Sequence, residues 1–158
     1  MRLSFERTVE APREAVFAAF RDAARWPEFV SGIESVAGAE GPLNVGDTFR
    51  ETRTMFGREA TETFAVTGLR PGEELTLESD SCGARFVSRH TFEDAGGGRT
   101  RVRLEMTSRP LTLFAKLMSP LGALMAGSMR KAIEKDLDEF AAECERAGGL
   151  ASAPPAGG

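Results

Sequence analysis

Tyrosine is missing from the 158 residues, and histidine occurs once, at position 90. The first absence excludes a tyrosine-based acid or oxyanion donor. The second, with only Cys82 and Cys144 to add, excludes the familiar zinc ligand sets. The two cysteines form neither a Cys-x-x-Cys pair nor a disulfide framework. Nothing in the chain reads as a nucleophile elbow, so Ser-His-Asp chemistry has no support. The glycine-bearing turns "GPLNVGD" and "DAGGGR" do not precede helices, so neither cradles phosphate. No cofactor and no metal are expected. Positive charge is not in excess: the net charge is −4, which argues against a nucleic-acid partner. Long hydrophobic runs are missing too. The uncharged run from Leu117 to Met129 has 13 residues. A spanning helix needs roughly 20. No stable membrane insertion is expected, although an interfacial helix stays open. The opening "MRLSFE" has no apolar signal core, so the expected location is the cytoplasm, with thiols reduced.

What is present fits one domain with a sizeable core: 41% hydrophobic and 28% charged residues. Residues 2–9 alternate, with Leu3, Phe5 and Val9 on one face and Arg7 as the exception. A short helix follows, with Pro12 at its start and Val16, Phe17 and Phe20 on one stripe. Trp26 and Phe29 belong to a second, very short one. From Ile33 to Arg109 the turn signals recur, which predicts a meander of about six antiparallel strands.

Charge registers the last hairpin. With Phe92 opposite Val102, Glu93 faces Arg101 and Arg89 faces Glu105. Phe86, Ser88, His90 and Phe92 then share the inner face with Val102, Leu104 and Met106, and a slip of one residue destroys both patterns. A two-residue loop at Phe56-Gly57 pairs Phe49 with Phe64 and Arg53 with Ala60. It also sets Glu51 beside Glu62, which demands either Arg53 between them or a bulge. After Pro110 the residues Phe114, Met118, Leu121, Met125, Met129, Ile133, Leu137 and Phe140 form one helical stripe. Pro120, Gly122 and Gly127 interrupt it, so a kink or break is expected near 119–122. The domain is expected over 1–147, with a disordered Gly/Ala/Pro tail over 148–158.

This order resembles the helix-grip fold of the START-like, Bet v 1-like (SRPBCC) superfamily. Within it the chain is similar to the bacterial polyketide cyclase/dehydrase and lipid-transport group. The residues that carry the likeness are "VEAPREAVFAAFRDAARWPEFVSGIESV" (9–36), "GDTFRETRTMFGREATETFAVTGLRPGEELTLES" (46–79), the 92–107 hairpin and the long last helix. The resemblance implies an α+β fold: a curved antiparallel sheet of about seven strands wrapped around a long C-terminal helix, with two short helices after the first strand. It also implies a cavity between sheet and helix. Members of the superfamily include lipid carriers, hormone-binding proteins, aromatic polyketide cyclases and protein-interaction domains, and fold alone does not choose among them.

On that architecture the candidate ligand contacts are His90, Arg53, Ser88, Phe49, Phe64, Phe86, Met106, Phe114, Met118, Met125, Met129 and Trp26. The aromatic and methionine positions read equally as core. His90 has three open roles: proton transfer, ligand contact, or a satisfied structural histidine. Arg53 either anchors a carboxylate or carbonyl or sits in water, and Glu51 and Glu62 are expected in water at the mouth. The first reading is a carrier or sensor for a small, mostly apolar molecule, lipid-like or aromatic and polyketide-like. The alternatives are an aromatase/cyclase that uses His90, and a protein-interaction module. Oligomeric state is not legible.

Overall fold

The computed structural model describes residues 1–152, with side chains through Gly148. Strand β1 (Arg2–Val9) leads into α1 (Arg13–Arg21), a 3-10 turn (Ala23–Arg25) and α2 (Trp26–Phe29). Six strands follow: β2 (Ile33–Ala37), β3 (Thr48–Met55), β4 (Arg58–Arg70), β5 (Glu74–Ser81), β6 (Ala84–Gly96) and β7 (Arg99–Pro110). Two helices close the chain, α3 (Leu113–Leu117) and α4 (Ser119–Ser152). The sheet order is β1-β7-β6-β5-β4-β3-β2, antiparallel throughout, so each hairpin partner is a sheet neighbour and β1 returns to pair with β7. Register shifts at Ile33/Ser35, Val66/Gly68 and Asp94/Gly96 mark bulges, which bend strands and let a sheet curl. At Gly68 a side chain would come within 3.1 Å of Thr76, so the bulge there needs glycine. This is the helix-grip arrangement that the resemblance implied.

Both hairpin registers stand, the one set by charge and the one set by the two-residue loop. Phe92 faces Val102, Glu93 faces Arg101 and His90 faces Leu104. Phe49 faces Phe64 and Glu51 faces Glu62. Arg7, the exception in β1, reaches Asp138 on α4 at 3.3 Å.

The core gathers on Phe20 of α1. Its ring stacks on Phe140 of α4 at 4.2 Å and meets Phe92 edge-on at 5.2 Å. Trp26 and Phe29 approach the same Phe140 edge-on. Val16, Phe17 and Phe20 are buried together, as the α1 stripe required. Leu137, Phe140, Ala141 and Cys144 bury the second half of α4.

The first half of α4 departs from expectation. The break falls at Met118, whose carbonyl accepts from Leu121 and Gly122 and so starts a new helix. Pro120 then lies in the first turn of α4, where its missing N–H removes no helical bond. Beyond it the helix runs unbroken through Gly122 and Gly127, where an added Cβ would meet nothing within 4 Å outside the helix's own backbone. The apolar stripe does not pack as one. Of its members Phe114 is 70% exposed and Met118, Leu121 and Met125 are also exposed, as are Leu113, Leu117 and Leu124 beside it at 76–83%. A straight helix against a curved sheet touches it over part of its length, and here the contact is the C-terminal part. The helix also continues to Ser152, past the expected domain end at Ala147. The rest of the expected tail, 153–158, lies outside the described residues.

Candidate functional site

Between the sheet and the second half of α4 a cavity of about 240 Å3 remains. At ~30 Å3 per water that is room for a small organic molecule rather than a long chain. Its walls come from α1, α2, β2–β7 and α4, and they are mainly apolar: Phe20, Leu75, Leu77, Leu104 and Ile133 are representative. Of the residues expected there, Trp26, Arg53, Phe64, Phe86, Ser88, His90, Met106 and Met129 line it. Phe49 does not. It is 2% exposed, stacked behind Phe64 at 5.5 Å and edge-on to Trp26 at 5.6 Å, so it is core. Phe114, Met118 and Met125 do not line it either, because their turns stand off the sheet.

His90 projects inward because β6 alternates and its register with β5 and β7 is fixed. Its Nδ1 lies 3.2 Å from the carbonyl oxygen of Leu75, the residue opposite it on β5. A carbonyl only accepts, so Nδ1 carries the proton and Nε2 keeps a lone pair. Burial penalises the imidazolium and outweighs the Leu75 hydrogen bond, so the pKa falls to about 4. Phe20 covers one side of the ring at 5.4 Å. At neutral pH His90 is therefore a neutral acceptor in an apolar wall.

A second polar group occupies the β3 side. Arg53 donates from Nε to Glu51 Oε1 at 2.7 Å and from Nη1 to Asp136 Oδ2 at 2.9 Å. Arg53 therefore partly offsets the Glu51/Glu62 repulsion by folding back along its own strand to Glu51, and it ties β3 to α4. Glu51 is 7% exposed, which corrects the expectation that it sits in water. Glu62 stays partly exposed and carries no ion pair among the described residues. Burial raises the pKa of both Glu51 and Asp136, and Arg53 offsets it only in part. Burial also acts to lower Arg53, but the two carboxylates together hold it charged. Two anions share one cation, so neither is fully compensated.

Sequence reasoning missed Ser79 and Asp136. Ser79 is 5% exposed, lines the cavity, and its Oγ has no hydrogen-bond partner. The alternation in "ELTLESDS", with Leu75, Leu77 and Ser79 in one phase, carried that signal. Asp136 lies one position off the apolar stripe of α4 and gave none.

A larger hollow, about 530 Å3, opens on the outer face of the sheet beside Arg70, Arg89 and Arg103. These arginines pair with Glu74 and Glu6 at 2.8–3.0 Å, so the hollow is a solvated lattice of charge. Among the described residues no three of His, Cys, Asp or Glu come together as a metal site. No described helix is long and apolar enough to cross a membrane.

A curved sheet gripping a helix, with an unfilled apolar cavity between them, defines a helix-grip ligand-binding fold. The chain belongs to the polyketide cyclase/dehydrase and lipid transport family, whose model matches residues 1–145. In structure it is similar to TTHA0849 of Thermus thermophilus, at 20% identity and a TM-score of 0.72, over 97% of this chain and 100% of that one. It is similar to the Zhui aromatase/cyclase of a Streptomyces species, at 16% identity and a TM-score of 0.77, over 98% and 99%. The Bet v 1-like protein Ara h 8.0201 aligns at 13% identity and a TM-score of 0.72, over 91% and 97%. At these identities the likeness shows the fold alone. No curated protein matches the chain.

Proposed function

We propose that the protein binds a small, mostly apolar molecule, aromatic or lipid-like, between the sheet and α4, as a carrier or sensor. The observation that carries this reading is the unfilled apolar cavity with His90 and the Arg53 cluster set in its wall. A core built only for stability closes such a gap, since interiors pack to crystal-like density. The polar groups can fix the orientation of a ligand whose affinity comes from apolar burial. The test is a neutral fluorescent probe, N-phenyl-1-naphthylamine, with native mass spectrometry for co-purified molecules. Leu77→Trp fills the cavity and is expected to abolish probe binding while circular dichroism stays native. Equal binding by that folded variant would sink the reading.

An aromatase/cyclase role is the second reading. What favours it is His90 and the Arg53–Asp136 pair facing one cavity, in a family described by that chemistry. The balance goes to binding because a histidine with a pKa near 4 is a weak base at neutral pH. Product formation from a polyketide-like chain, lost in His90→Ala, would reverse that order.

A further inference from the structure

The charges on the cavity wall are lopsided. Glu51, Glu62 and Asp136 line it with Arg53 as the one basic side chain. Arg53 already donates to two of the three carboxylates. An arriving carboxylate would have to compete with Asp136 and Glu51 for that guanidinium, and Glu62 would still repel it. His90 points the same way. His90 Nε2 offers only a lone pair, and a carboxylate is likewise acceptor-only, so the two cannot pair. Ser79 is 5% exposed and its buried Oγ is unpartnered, which costs free energy until something reaches it. A hydroxyl or an amine satisfies His90 by donating to it. Ser79 does not discriminate, because its hydroxyl can donate to a carboxylate as well as pair with a hydroxyl or an amine.

We infer that the cavity takes a ligand whose polar end donates hydrogen bonds, a hydroxyl, phenol or protonated amine, and that it rejects carboxylates. The inference rests on the binding reading above and narrows its ligand class. It also sets aside one of the readings left open for Arg53, the carboxylate anchor, because that guanidinium is occupied from within.

The experiment uses the full chain at pH 7.5 and three compounds with one ring system. These are 2-naphthylmethanol, 2-naphthylmethylamine and 2-naphthoate, each titrated against bound N-phenyl-1-naphthylamine. The alcohol and the amine are expected to displace the dye at concentrations at least tenfold below the naphthoate. Glu62→Gln removes one charge without breaking an ion pair, so the variant is expected to fold. In it the amine should weaken about threefold and the naphthoate should improve, while the alcohol stays within twofold. Naphthoate binding as tight as the alcohol, or a dye that none of the three displaces, overturns the charge preference alone. Failure of the dye itself to bind overturns the cavity reading, and this inference falls with it.

Discussion

At the scale of single residues, His90 shows how one hydrogen bond sets a chemical role. The Leu75 carbonyl fixes the tautomer, and burial keeps the ring neutral. The linkage sign follows from the lowered pKa. The unfolded chain takes up a proton near pH 6.5 and the folded one only near 4, so the unfolded state binds more protons between them. Stability contributed by neutral His90 is therefore complete above about pH 6.5 and is lost as pH falls toward 4. The full shift corresponds to ~3 kcal/mol, and water in the open cavity reduces it. Urea titrations from pH 7 to 4 should show a steeper loss for the native chain than for His90→Gln; parallel curves would place the ring in water. The inward phase of His90 and Ser88 was legible because alternation and two charge pairs fix a hairpin. The role was not, because the partner is a backbone carbonyl, which no side-chain pattern reports. Ser79 was legible in principle, one step along the same alternation.

At the scale of elements, the Arg53 cluster joins a strand to the last helix. Its three members come from positions 51, 53 and 136, so the pairing needs the sheet curvature and the rotation of α4 together. The sequence set Glu51 opposite Glu62 and required either Arg53 between them or a bulge. It could not show Asp136, which depends on how α4 is turned. Arg53→Met removes the cation and leaves one buried carboxylate, Glu51, and one half-buried carboxylate, Asp136. The expected cost is ~3–5 kcal/mol at pH 7. Protonation then relieves it, so the deficit against the native chain should shrink as pH falls from 7 to 5. A deficit that is constant with pH would mean the carboxylates reach water. The β5–β6 turn makes a similar junction: Gly83 has φ +73°, and a side chain there would meet Thr112 Oγ1 at 2.7 Å, the residue that caps α3.

At the scale of the whole molecule, periodicity told which face of the last helices is apolar but not what that face meets. The stripe from Phe114 to Phe140 is continuous in the sequence. In the structure it divides between an exposed ridge and a buried half. The fold was legible because element order and hairpin registers are local; the extent of packing along α4 is not, since it depends on the curvature of a sheet built from seven other segments. The division predicts two classes of substitution on one helix. Phe140 contacts Phe20, Trp26 and Phe29, so Phe140→Ala should cost ~3–5 kcal/mol in urea unfolding. Leu124 is 82% exposed, so Leu124→Ala should stay within ~0.5 kcal/mol. A cost above ~1.5 kcal/mol at Leu124 would show the ridge packed in solution. Repeating the titration at tenfold higher protein then separates the causes: a concentration-dependent midpoint means a second chain covers the ridge, and an unchanged one means that α4 closes onto its own sheet. Closure would also shrink the cavity, so the same Leu124→Ala variant should then bind N-phenyl-1-naphthylamine more tightly than the native chain does.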